Sequence, residues 1–119
     1  MFIRELKDCE EVIAGDNCTL REILHPDKDK IALRYSLAHA VVKPGETTWP
    51  HRLKTSEVYY IIAGEGTMHV DDNSAPVRSN STIYIPPRAK QSITNSGTTD
   101  LTFICLVDPA WRKEDEEVL

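Results

Sequence analysis

From Ile31 to Val107 the chain is a succession of short apolar runs cut apart by turn residues, with no amphipathic helical stretch of comparable strength. The cuts are Lys43-Pro44-Gly45-Glu46, Ala63-Gly64-Glu65-Gly66, Asp71-Asp72-Asn73-Ser74, Pro86-Pro87-Arg88 and Asn95-Ser96-Gly97. Each supplies a fixed or positive φ at a bend. Between them lie Ala32–Val42, Glu57–Ile62, Thr67–Val70, Thr82–Ile85, Gln91–Thr94 and Leu101–Val107, all of strand length. Strands in this number must close on themselves or stack, because an open edge of unpaired N–H and C=O groups invites association. The expected fold is therefore all-β, a barrel or jelly roll.

A chain of 119 residues is the size of one domain with one hydrophobic core. Residues 1-30 read as an N-terminal arm and the first strands of the barrel, with Thr19–Leu24 alternating as a strand should and His25-Pro26-Asp27 ending it. Residues 31-109 are the barrel core. Residues 110-119 form an acidic C-terminal tail, apart from Arg112 and Lys113, expected as a helical turn or a mobile end. No internal repeat or linker is visible.

Charge and cysteine usage narrow the function classes. The formal net charge is −5, so the long-range field repels phosphate backbones and anionic membrane surfaces, and neither nucleic acid nor membrane is an expected partner. Cys9, Cys18 and Cys105 are odd in number, widely spaced and without a CxxC pair, which fits neither a disulfide framework nor a structural zinc site. A reducing, cytoplasmic location is expected, as the N-terminus also lacks the apolar core of a signal peptide.

Two spaced motifs carry a resemblance. Gly45, His51, Leu53, Glu57 and Gly64 stand at the five positions of one, and Asn80, Pro86, Arg88, Gln91 and Asn95 at those of a second. In this spacing and order the chain resembles the cupin superfamily, specifically small single-domain conserved-barrel proteins of the cupin 2 type, some described as mannose-6-phosphate isomerase-like. The resemblance covers about Ala32 to Pro109 and implies a double-stranded β-helix, the cupin jelly-roll barrel. It also implies that Leu53 and Gln91 stand where metal-binding relatives carry ligand histidines. Asn80 tolerates the left-handed backbone that its turn asks for. Arg88 suits such a turn less well, so the second turn is expected to differ in shape.

Residues two apart in a strand share a face, so His51 and Leu53 point together into the barrel, and Glu57, Tyr59 and Ile61 form a second inward row. Gln91 and Ile93 make a third, and the resemblance turns Phe103 and Cys105 inward beside them. Glu57 is the only acidic residue that this pattern places inside. Three readings stand side by side. In the first, His51, Glu57 and Gln91 weakly hold one divalent transition metal, Zn, Mn, Fe or Ni, with an open face for Lewis-acid chemistry. In the second there is no metal, and Glu57 and His51 act as an acid–base pair, or simply as recognition groups, on a small oxygenated metabolite such as a sugar or keto acid. In the third the polar groups only satisfy one another in the core.

The ligand-binding candidates are Gln91, Tyr59, Trp49, Phe103 and Cys105, with Trp49 placed to cover the barrel mouth. The functional alternatives are an isomerase-like or oxygenase-like enzyme and a non-catalytic sensor that lost its metal. A homodimer is expected, since Tyr60, Ile62 and the N-terminal arm offer apolar outward surface.

Overall fold

The computed structural model describes the whole chain, Met1–Leu119. Eleven strands follow one another: β1 (Glu11–Ile13), β2 (Thr19–Leu24), β3 (Ser36–Val42), β4 (His51–Leu53), β5 (Ser56–Ala63), β6 (Glu65–Val70), β7 (Asn73–Arg78), β8 (Thr82–Ile85), β9 (Gln91–Asn95), β10 (Leu101–Asp108) and β11 (Glu116–Val118). They pair antiparallel into a six-stranded sheet, β1-β2-β3-β10-β5-β8, and a five-stranded sheet, β11-β4-β9-β6-β7. The two sheets face each other as in a double-stranded β-helix. No helix is long and apolar enough to cross a membrane.

Alternation decides which side chains fill the space between the sheets. Along β10, Leu101, Phe103, Cys105 and Val107 are buried while the residues between them are only partly covered. Across the ladder, Phe103 is paired with Ala40 and Ile61. The Phe103 and Tyr59 rings lie 4.5 Å apart and tilted by 34°. Burying one such ring contributes roughly 2–3 kcal/mol, so this pair anchors the floor of the barrel.

The motif turns all bend through the left-handed region. Gly45 and Gly64 have φ of 80° and 95°, and Asn80 and Arg88 have φ of 74° and 69°. At Gly64 a Cβ would also come within 2.6 Å of the Asp100 carbonyl oxygen, so space and conformation both demand glycine there. The expectation of a differently shaped turn at Arg88 is not met: arginine takes the positive φ itself, at a cost of roughly 1–2 kcal/mol. Its N–H donates to the Leu53 carbonyl at 2.7 Å, tying that turn to β4. Asn95 is fully engaged, donating to the carbonyls of Val42 and Thr99 and accepting from the Gly97 N–H.

Three expectations about elements need correction. The run Ala32–Val42 becomes a strand only at Ser36, because residues before it are held in tight turns such as Leu33 N–H to Ile31 O. Asn73 and Ser74 belong not to a turn but to β7, whose Asn-Ser-Ala-Pro start is poor strand sequence. β7 pairs only with β6, so Pro76, which cannot donate a hydrogen bond, is tolerated at that edge. The acidic tail is neither a lone helical turn nor loose: one 3-10 turn, Lys113–Asp115, leads into β11, which pairs with β4. His25 fixes the approach to the tail. Its Nδ1 accepts from the Asp27 N–H, which leaves Nε2–H to donate to the Trp111 carbonyl at 2.6 Å.

A polar cavity between the sheets

Between the sheets and towards β1 and β11 lies a cavity of about 240 Å³. Its floor is apolar and aromatic, with Tyr59, Phe103, Cys105, Leu53 and Leu20 among its walls. His51 comes in from β4 and Glu57 from β5, on opposite sheets. The two strands place them by the inward parity of their burial patterns, buried-partial-buried for His51–Leu53 and alternating along β5.

Glu57 is 6% exposed, and its Oε1 has no hydrogen-bond partner in the protein. Burial pushes its carboxyl up to about 8, the Gln91 amide opposes the rise, and the negative charges of Asp16 and Glu116 add to it. At neutral pH Glu57 is thus an uncharged acid facing the cavity. His51 is held by its backbone neighbourhood. Its Nδ1 lies 3.0 Å from the Trp49 carbonyl, which can only accept, so Nδ1 carries the proton and Nε2 is left free. Asp16 Oδ2 lies 3.9 Å from the same Nδ1.

Gln91 stands directly across from His51 in the β4–β9 ladder and is 1% exposed. It sits behind the cavity wall, where its Oε1 accepts from the Tyr59 hydroxyl at 3.0 Å. Burial raises the Tyr59 phenol and the Cys105 and Cys18 thiols, and the nearby acidic groups add to each rise, so all three keep their protons. Trp49 does not cover the mouth. It is 52% exposed and outside the cavity walls, because the buried positions around it fall to Thr48 and His51. Only its backbone serves the site, accepting from His51 and donating to the Asp16 carbonyl at 2.8 Å.

Glu57 is not alone as an interior acid, contrary to the strand parity argument. Asp16 and Glu116 line the same cavity, as does Trp111, whose indole N–H donates to Glu116 Oε2 at 3.1 Å. These residues belong to the segments before the first motif and after the last strand of the core. Gly15 is the contact between them: a Cβ there would strike the Glu116 carboxyl. A sequence signal for Asp16 exists in Gly15-Asp16-Asn17, a turn where Asp16 Oδ1 accepts from the Cys18 N–H at 3.2 Å and Asn17 takes a φ of 73°.

The metal that the resemblance implies can be tested against these donors. Of the four motif positions, Leu53 cannot coordinate, and the Gln91 oxygen is already taken by Tyr59. Nowhere do three or more His, Cys, Asp or Glu side chains converge in a way that would hold an ion. The residues present do not fit a tight transition-metal centre.

Two facing antiparallel sheets closed around an interior cavity, apolar below and polar at one end, define a barrel of the small-molecule-pocket type. The chain belongs to the cupin family: a cupin domain matches residues 38–107. An uncharacterised protein of Methanocaldococcus jannaschii is 40% identical over 108 residues, which is 90% of this chain and 86% of that protein. The oxalate-binding protein of Thermotoga maritima is 30% identical over 71 residues, 59% of each chain. Among solved structures, a predicted oxalate decarboxylase of Thermotoga maritima superposes with a TM-score of 0.80 at 19% identity, covering 91% of this chain and 99% of that one, which is a likeness of fold.

Proposed function

We propose that this cupin binds one small polar molecule in the cavity between β4, β5 and the two chain ends, without a tightly held metal. The observation that carries the reading is the unpartnered Oε1 of Glu57, a buried polar atom on a side chain that lines the cavity. Such an atom costs roughly 1–3 kcal/mol unless something satisfies it, and a bound molecule does so. Leu53 and Gln91 in place of metal-ligand histidines fit the same picture. Tyr59, Phe103 and Cys105 then pack against the molecule, while Gln91 acts from behind by orienting Tyr59.

In the enzymatic form of this reading, Glu57 and His51 move a proton on the bound molecule, an isomerase-like task that needs no metal. The non-catalytic sensor form uses the same two groups for recognition alone. Three free, buried cysteines favour a reducing cytoplasm as its setting.

Two measurements test the site. Elemental analysis of protein purified without chelator or added metal is expected to give well below one equivalent of any transition metal. Near-stoichiometric metal would overturn the metal-free reading. Ala38 lines the cavity, so Ala38→Phe is expected to fill it and abolish binding of any metabolite found by ligand-observed NMR. A binder that is indifferent to this change sits elsewhere.

The partner reading is a homodimer through the outer face of the six-stranded sheet. Along β3, β10 and β5, the outward positions include Leu37, Val41, Ile104, Leu106, Val58, Tyr60 and Ile62, with His39 and Thr102 among them, and the one charged outward residue of these strands, Asp108, stands at the end of β10, paired with Arg34. A chain of net charge −5 meets its copy at least cost through such a sparsely charged face. Sedimentation equilibrium should show a dimer that Ile104→Glu converts to a folded monomer; a wild-type monomer at high micromolar concentration would refute the interface.

A further inference from the structure

We infer that the cavity selects an organic cation, a molecule with an ammonium head on an apolar body, over a carboxylate of the same shape. The inference rests on the reading that this cavity binds a small molecule, and names its class. Four carboxyl groups, Asp16, Glu22, Glu57 and Glu116, line one space with a single lysine, so three of them are not balanced there. The lysine in the wall, Lys28, is taken by Glu22 at 2.7 Å.

A census of hydrogen-bonding atoms points the same way. Three acceptor sites are free of protein donors, Asp16 Oδ2, Glu116 Oε1 and His51 Nε2, and the protonated Glu57 carboxyl has one oxygen, Oε1, without a partner of either kind. The strong donors in the wall are already spent. Tyr59 donates to Gln91, Trp111 to Glu116 and His51 Nδ1 to Trp49. What remains is the Glu57 carboxyl proton, the Ser36 hydroxyl and two thiols, Cys18 and Cys105, which are weak donors. A carboxylate entering this space meets the like charge of Asp16 and Glu116 and few donors. An ammonium group has three donors and no acceptor, the complement of what the walls offer.

The acidic cluster alone would not make this a site. The independent observation is Glu57 itself, nine-tenths buried, facing the cavity, and with one oxygen unpartnered. The aromatic surfaces of Tyr59, Phe103 and Trp111 in the same walls add a further preference for a cation with an apolar body.

Three probes with one body separate the possibilities: cyclohexylammonium, cyclohexanol and cyclohexanecarboxylate, titrated at pH 7 while following the Trp111 indole N–H by NMR. Cyclohexylammonium is expected to shift this resonance and to bind at least about tenfold more tightly than the alcohol, as charge-assisted hydrogen bonds exceed neutral ones. The carboxylate should bind more weakly than the alcohol. Asp16→Asn keeps the oxygen that caps Cys18 and should cut the ratio of ammonium to alcohol affinity severalfold, an unchanged ratio overturning the cation preference; Glu116→Gln serves the same purpose if that variant does not fold. If the alcohol or the carboxylate binds as well as the ammonium, the cation preference is wrong and the cavity remains a binding site. Should none of the three move the indole resonance, the binding site itself falls, and the cation preference with it.

Discussion

Glu57→Gln should make the protein more stable at pH 8 and leave it almost unchanged at pH 5. The carboxyl sits near 8 in the folded protein against an ordinary value of 4.5. Between these values the unfolded chain has released a proton that the folded protein still holds, so stability falls as pH rises. The contribution is fully present below the unfolded value and is lost as pH climbs through the folded one, roughly 4–5 kcal/mol across the window. Glutamine carries no such penalty, but leaves an amide to be satisfied in the same buried place, so the expected gain at pH 8 is about 2–4 kcal/mol. Urea denaturation of both proteins at pH 5, 6, 7 and 8 reads it directly. Parallel pH profiles for the two would mean that Glu57 is not a buried neutral acid.

The second large effect is the creation of a metal site. Leu53→His together with Gln91→His would surround the cavity end with three imidazoles and the Glu57 carboxyl. His51 and position 91 are cross-strand partners, and Leu53 shares the inward face of β4 with His51. Zn²⁺ or Ni²⁺ affinity should rise on the order of a thousandfold, about 2 kcal/mol for each added imidazole. Position 91 costs something, since Tyr59 loses the acceptor of its hydroxyl, and the Leu53→His single variant separates that loss from the gain. Calorimetric titration showing no gain in the double variant would place these four positions too far apart to share an ion.

The barrel was legible because its information is local and periodic. Alternation along Leu101–Val107 and Glu57–Ile62 gives both the strand and its buried face, and the turn residues mark where each ends. β7 was not legible, since Asn73, Ser74 and Pro76 signal turns and only the neighbouring strand and a free edge make them a strand. Arg88 shows the limit of reading turns from residue type, because its N–H, bonded to the Leu53 carbonyl, sits at a positive φ that arginine disfavours.

Half of the site followed the same logic. His51, Glu57, Tyr59, Phe103 and Cys105 reach the cavity by strand parity within or beside the motifs. Asp16, Trp111 and Glu116 arrive by tertiary closure from the two ends of the chain, and no period in the sequence links positions so far apart. Trp49 misled for a related reason: nearness in sequence to His51 places its backbone at the site and its ring outside.

The seam where Gly15 meets Glu116 divides the cavity into parts with different freedom to vary. Its floor is built from central strands that also hold the core together, so a change there is paid for in folding. Its roof comes from β1 and β11, edge strands of three residues each, whose loss of a side chain leaves the double sheet intact. Descendants of this barrel can therefore exchange the chemistry facing the bound molecule by rewriting the ends of the chain, while the inherited middle stays fixed.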